Sequence, residues 1–439
     1  MQPVRPLRAP SLPRLAAASL AGTAIEFYDF FVYGTAAALV LGPQFFPTFS
    51  PMAGTLAAFG TFGVGFVARP LGSVLFGHLG DRRGRRPVLV ASLLLTGAST
   101  VAVGCVPAYG TIGAAAPVLL LLLRFLQGLG LGGEWGGAVL LTAEHAPAAR
   151  RALWSSFPQV GPAVGFVLAN GVMLALSAAL PGDAFAQWGW RVPFWAAGVL
   201  ALAGLWLRSS LTESPRFLQI DDHARVPLVE VVRHHGRLVL LTAGALAVGY
   251  AVFYAVTTWS LAYATGRLGV SRTVMLTCVM VAVVVKGALT PLMALLGDRY
   301  GRRPLCLAGC AGCAGCALRM LPMVALLGTG EPVLMFLGIL GALIAFITMF
   351  AVIAAYLPEL YEARVRCTGA AVGYNLGGVL GGALTPMVAT ALTDHGGRVP
   401  WGVGVYLTGI ALVSLVCFAL LPETRPAPTP VPAREPATG

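Results

Sequence analysis

Gly77-His78-Leu79-Gly80-Asp81-Arg82-Arg83-Gly84-Arg85-Arg86-Pro87 returns 217 residues later as Ala294-Leu295-Leu296-Gly297-Asp298-Arg299-Tyr300-Gly301-Arg302-Arg303-Pro304. Three further pairs keep the same order at nearly the same offset. Glu144 with Arg151 recurs as Glu359 with Arg366, Arg191-Val192-Pro193 as Arg398-Val399-Pro400, and Glu213-Ser214-Pro215-Arg216 as the shorter Glu423-Thr424-Arg425. Self-similarity at a fixed offset is the mark of a duplicated architecture. The chain therefore reads as two homologous halves.

Composition says what each half is made of. Of 439 residues, 57% are hydrophobic and only 10% charged, against roughly 25% charged in a soluble globular protein. A spanning helix takes ~20 apolar residues, so the chain's apolar content allows about twelve spans, six in each half. They are expected near 17–40, 53–78, 87–106, 116–143, 155–179, 190–208, 238–262, 272–297, 304–326, 332–357, 367–391 and 400–421. The expected fold is an all-α membrane protein of twelve transmembrane helices. Its parts are an N-terminal segment 1–16, a six-helix bundle 17–208, a linker 209–237, a second bundle 238–421 and a disordered tail 422–439. Six is even, so both halves enter the bilayer from one side and form parallel repeats, with a binding site expected between them near the midplane.

The net charge of +12 would suggest nucleic acid in a soluble chain, but its placement argues against that partner. Most basic residues fall in the segments that share a side with the N-terminus, whereas the opposite loops hold only Arg191, Arg267, Arg272 and Arg398. By the positive-inside rule both termini are cytoplasmic, which gives a multi-pass protein of the cell (inner) membrane whose partner is the lipid bilayer. No cofactor and no metal are expected. The eight cysteines lie in or beside spans without accompanying His or carboxylates, and the six histidines show no ligand spacing. No phosphate-cradling Gly-x-x-x-x-Gly-Lys-Ser/Thr loop is present, and nothing points to an enzyme.

The doubled motif has its own mechanics. Asp81 and Asp298, at helix ends, can pair with arginines of the next short turn, and Gly84 and Gly301 permit that turn to be tight. Arg82, Arg85 and Arg86, with Arg299 and Arg302 in the second copy, can close a gate through ion pairs that break when the bundles rock. Glu144, Arg151, Glu359 and Arg366 belong to the same gating set. Purely topological arginines are the alternative, but the whole pattern occurring twice favours a gate.

The motif resembles that of the major facilitator superfamily. More narrowly, the chain is similar to its metabolite:proton symporter family. That similarity rests on Glu26-Phe27-Tyr28-Asp29-Phe30-Phe31-Val32-Tyr33-Gly34, Arg69-Pro70-Leu71-Gly72 and Arg124-Phe125-Leu126-Gln127-Gly128. It also rests on Gly133-Glu134-Trp135-Gly136, Gln159-Val160-Gly161, and Arg364-Val365-Arg366-Cys367-Thr368-Gly369-Ala370 before Tyr374-Asn375. Phe27 stands where the family usually has Trp, and Ala294 replaces a loop glycine. The resemblance implies import of organic acids or zwitterionic osmolytes with protons, and a fourth span that lines the central cavity.

A charge within hydrocarbon costs at least ~3 kcal/mol and marks function by default. At 1.5 Å per residue, Asp29, Arg124 and Lys286 come nearest the midplane. Glu26 and Asp29, three residues apart, share a helix face. Two neighbouring carboxylates in a poorly hydrated place favour keeping a proton on at least one of them, so Asp29, with Glu26 or Glu134, is the expected proton carrier. A structural ion pair with Arg69 or Arg124 is the alternative.

Lys286 is the only lysine in the chain, and it sits too deep for snorkelling to explain. Lys286 and Arg124 are the expected carboxylate holders, although Arg124 could instead pair with a first-span acid. Tyr250 and Tyr254, at i and i+4, could line a polar site or simply pack. Gln159 and Asn375 are candidate hydrogen-bonding amides. The expected function is a monomeric, proton-coupled importer of a small organic anion working by alternating access. A zwitterion importer and a proton-antiport exporter are the alternatives.

Overall fold

The computed structural model describes residues 12–83, 85–132, 142–143, 146–180, 183–209, 227–315, 317–362, 365–394 and 399–425. Eight of its helices are long and apolar enough to cross a membrane, and three shorter apolar helices stand between them. The remaining span is described over Arg302–Gly315 and Ala317–Gly328. Counted along the chain these are twelve spans, at the places the apolar runs predict. Leu240, Val199, Val333 and Leu202 point outward and are each about two-thirds exposed, an apolar surface suited to lipid.

The first span runs Leu12–Phe45, the second begins at Pro51, and the third and fourth are Arg85–Cys105 and Ala115–Leu131. Phe157–Ala179 is the fifth and Val192–Ser209 the sixth. In the second half the seventh starts at Pro227, and the eighth and tenth are Arg272–Tyr300 and Pro332–Phe350. The eleventh covers Thr368–Thr393 and the twelfth Trp401–Leu420.

Packing repeats with a shift of six spans. The first packs on the fifth, the second on the fourth, and the third on the fourth and sixth. The seventh packs on the eleventh, the eighth on the tenth, and the ninth on the tenth and twelfth. Glycine lets the first pairing of each half close up. A Cβ at Gly161 would meet Thr23 Oγ1 at 1.9 Å, and one at Gly381 would meet the Ala247 carbonyl at 2.1 Å. Even the helical irregularity is duplicated: a wide π-type turn at Ala37–Leu41 in the first span recurs at Ala255–Trp259 in the seventh. Such turns shift the phase of a helix face and occur often at functional sites.

The halves meet along two seams, the fifth span against the eighth and the second against the eleventh, which are equivalent under the same shift. Four boundaries differ from expectation. The end of the expected linker is helical, because the seventh helix starts at Pro227, and non-helical His235 (φ −121°) separates that extension from the span. The second helix runs on to Arg83 and the eighth to Tyr300, beyond the hydrocarbon length. The start of the expected tail is ordered: Pro422–Arg425 folds back on the second loop motif.

Candidate functional site

Between the halves lies a small cavity of about 30 Å³. Its polar groups are Lys286 of the eighth span and Gln159 of the fifth, with the hydroxyls of Tyr250, Tyr254 and Tyr374. Phe27, Phe253, Phe346 and Phe350 complete an aromatic wall. Tyr250 and Tyr254 share a face as the i, i+4 spacing predicts, their rings 6.4 Å apart and 5° from parallel. Gln159 Nε2 donates to the Phe350 carbonyl at 3.4 Å, joining the halves at the cavity wall.

Lys286 is 2% exposed. Its Nζ lies 5.6 Å from the Phe253 ring centroid and 5.4 Å from that of Phe346, and among the described residues no carboxylate pairs with it. Burial costs at least ~3 kcal/mol. A cation–π contact returns about 0.5–2 kcal/mol and fades near 6 Å, so these two long contacts leave the ammonium short of compensation. An anion entering the cavity would supply the rest.

Arg124 is placed differently. It is fully buried, with its guanidinium 4.3 Å from the centroids of Phe30 and Tyr33 and 5.0 Å from that of Phe62. Its Nη1 donates to Gln127 Oε1, and Gln127 Nε2 in turn donates to Thr100 Oγ1 at 2.8 Å. Three closer aromatic faces and a hydrogen-bonded amide compensate this cation better than Lys286. Phe30 also carries Arg69 at 4.3 Å, so two guanidinium groups press on one ring. Glu26 and Asp29 are both buried. Asp29 lies close enough to act electrostatically on Arg124, and Glu26 on Tyr254 and Tyr374 of the other half.

The expected single constellation is thus two groups. Lys286, Tyr250, Tyr254 and Gln159 come together at the cavity, and Asp29, Arg124 and Arg69 gather inside the first half. Tyr254 divides them, facing the cavity on one side and packing against Phe30, Phe62 and Phe66 at 5.2–5.8 Å on the other. Arg124 does not line the cavity in this conformation, because that aromatic layer stands between. Nor does Asn375, whose Nδ2 donates to Ser73 Oγ at 2.9 Å across the seam of the second and eleventh spans.

The gate residues of the second loop motif meet the first half directly. Asp298 accepts from the backbone N–H of Ala152 at 3.0 Å and of Leu153 at 2.9 Å. Arg151 Nη1 lies 3.3 Å from Glu359 Oε1. Arg302, buried, pairs with Asp298 at 3.1 Å and with Glu359 at 3.4 Å, and donates to the Gly297 carbonyl. Arg299 lies over Tyr300 instead, with no ion pair among the described residues. Arg366 Nε donates within its own turn, to the Tyr361 carbonyl.

Gly301 adopts φ +110°, and a Cβ there would sit 2.7 Å from Glu423 Oε2, so the tight turn needs glycine twice over. Glu423 was visible in the sequence only as a repeat echo. Its carboxylate accepts from the backbone N–H of Arg302, Arg303, Thr424 and Arg425, and Thr424 Oγ1 donates to Glu359 Oε2 at 2.6 Å. Burial pushes the Glu423 carboxyl up, but the four N–H groups outweigh it and hold it below the usual carboxylate range. Glu134, Glu144 and Gly84 lie outside the described residues, as do the side chains of Asp81, Arg82, Arg85 and Arg86.

At the opposite end the halves also touch: Arg272 lies over Phe185 at 4.8 Å. The halves are therefore bridged at both ends of the cavity. The family model of the Major Facilitator Superfamily matches residues 19–381. This chain belongs to the major facilitator superfamily. It is 43% identical over 419 residues to the inner membrane metabolite transport protein YhjE of Escherichia coli K12, covering 94% of each chain. It is 38% identical to the shikimate transporter of the same organism, over 94% of this chain and 95% of that one. A proline/betaine transporter of Escherichia coli K12 is 33% identical, with 94% and 84% covered. These relatives agree with the metabolite:proton symporter branch. A crystal structure of a D-xylose-proton symporter superposes with a TM-score of 0.75 over 94% of this chain and 99% of that one at 20% identity, a likeness of fold. The chain is a multi-pass membrane transporter, not an enzyme.

Proposed function

We propose that this superfamily member imports a small organic anion together with a proton, by alternating access between its two bundles. The observation that carries the reading is Lys286, a buried ammonium in the inter-half cavity with no carboxylate partner among the described residues. The substrate carboxylate would seat on it, with Tyr250, Tyr254 and Gln159 around the rest of the molecule. Asp29, with Glu26 or Glu134, would carry the proton, and Arg124 would tune Asp29 from behind the aromatic layer. Arg124 and Asn375 would reach substrate only in another conformation.

Arg151, Asp298, Arg302 and Glu359 would form the gate at the loop-motif end, and the distribution of arginines supports that end, with both termini, being the cytoplasmic side of the inner membrane. A single chain contains the complete cavity, which supports a monomer. The relative named a shikimate transporter supports a carboxylate, since shikimate is one.

A monoanion moving with one proton is electroneutral, so only the pH gradient drives it. A zwitterion with one proton would also use the potential, at ~2.3 kcal/mol per charge per 100 mV. Uptake into proteoliposomes with pH gradient and voltage set separately, over a panel of mono-, di- and tricarboxylates and betaines, tests the reading. Carboxylate uptake driven by the pH gradient without current is expected. Current-carrying uptake confined to betaine-like solutes would overturn it.

A further inference from the structure

Resting on that carboxylate reading, we infer that the cavity is shaped for a monocarboxylate carried on one flat ring, the carboxylate at Lys286 and the ring face against Tyr250 and Tyr254. The charge inventory sets the number of carboxylates. Lys286 is the single charged group among the residues that line the cavity. One carboxylate neutralises it, whereas a second carboxylate would meet no cation on the cavity wall, Arg69 and Arg124 standing behind the aromatic layer. A detached cationic group would share the small cavity with the ammonium of Lys286 and be repelled by it.

The walls set the shape of the body. Seven of the eleven lining residues are aromatic. Tyr250 and Tyr254 present parallel rings one helical turn apart, and Tyr374 stands edge-on to Tyr250 at 5.3 Å and 67°. Parallel faces with an edge-on neighbour are what a planar ring packs against by offset stacking and edge contact. A puckered ring of equal size meets the same faces through fewer atoms. Gln159 and the tyrosine hydroxyls supply donors and acceptors for hydroxyl substituents on the ring rim.

The test is equilibrium binding of radiolabelled 4-hydroxybenzoate to the full purified chain in detergent with no gradient, in competition with cyclohexanecarboxylate, succinate and glycine betaine. Cyclohexanecarboxylate should compete at least tenfold more weakly than unlabelled 4-hydroxybenzoate, and succinate and glycine betaine should not compete. Lys286→Gln should abolish binding and Lys286→Arg should keep the ring preference. Tyr250→Leu should bring the ratio of the two ring acids toward one. Equal binding of the flat and puckered acids, displacement by succinate or glycine betaine, or unchanged binding in Lys286→Gln overturns the inference. Short aliphatic monocarboxylates bound through Lys286 with no ring preference would sink this inference alone. Binding of no carboxylate at all would sink the carboxylate reading with it.

Discussion

Arg151 of the first half and Glu359 of the second stand 3.3 Å apart, so residues that recur as parts of one repeated motif meet across the halves. Glu359 is shared: Arg302 takes its second oxygen, and Thr424 donates to it as well. Arg151 is partly exposed, and a pair of that kind contributes about 0–1 kcal/mol. Such a contact can hold a closed state without making it permanent.

Cysteines placed at 151 and 359, in a chain whose native cysteines are replaced, should be joined by a reducible bifunctional thiol reagent that spans the lost side chains, and transport should stop until the link is reduced. Glu359→Gln should weaken the closed state and slow uptake several-fold. Rapid uptake by the cross-linked protein, measured in proteoliposomes, would show that this end does not open during transport.

Asp29→Asn should abolish uphill accumulation under a pH gradient while leaving substrate exchange across the membrane. The amide keeps the size of the side chain but carries no exchangeable charge. Counterflow and gradient-driven uptake, run on the same preparation, separate the two activities. Intact accumulation would clear Asp29 of the proton-carrying role.

Gly301→Ala should destabilise the second bundle by about 1–3 kcal/mol, the usual cost of forcing a side chain into a strained backbone region. The added methyl would also push Glu423 from the N–H groups it caps. Thermal unfolding in detergent reads the change. A melting temperature equal to that of the unaltered protein would mean the turn relaxes freely.

Glu423 makes a pH-dependent contribution whose sign follows from its environment. Its carboxyl titrates lower in the folded protein than in the unfolded chain. The stabilisation is therefore present above the ordinary carboxylate range and is lost as pH falls through the lowered folded value. Glu423→Gln should flatten the acid side of a melting-temperature profile and leave the neutral side lower. Identical acid limbs in the two proteins would contradict the capping role.

The duplicated motif and the apolar runs make the two halves and their spans legible, because both depend on spacing along the chain; which spans form the seams is not legible there. Lys286 stood out as a lone lysine at depth, and Tyr250 with Tyr254 as a shared face; the structure puts all three at the cavity. Arg124 shows the limit. Residue spacing gives depth at 1.5 Å per residue, but not which groups stand between a side chain and the cavity, and the π-type turns at Ala37–Leu41 and Ala255–Trp259 shift helix phase. Asn375 looked like a site amide, yet its partner Ser73 is 302 residues away. The work of Glu423 was equally hidden, since backbone N–H groups leave no trace in a sequence.

The central claim is that the ammonium of Lys286 holds a substrate anion that moves with a proton. Its most direct test is carboxylate uptake into proteoliposomes at zero voltage, comparing the unaltered chain with Lys286→Gln under an inward pH gradient. Accumulation should collapse when the gradient is dissipated and fall at least tenfold in Lys286→Gln. Equal accumulation by the two proteins, or accumulation indifferent to the gradient, would contradict the claim.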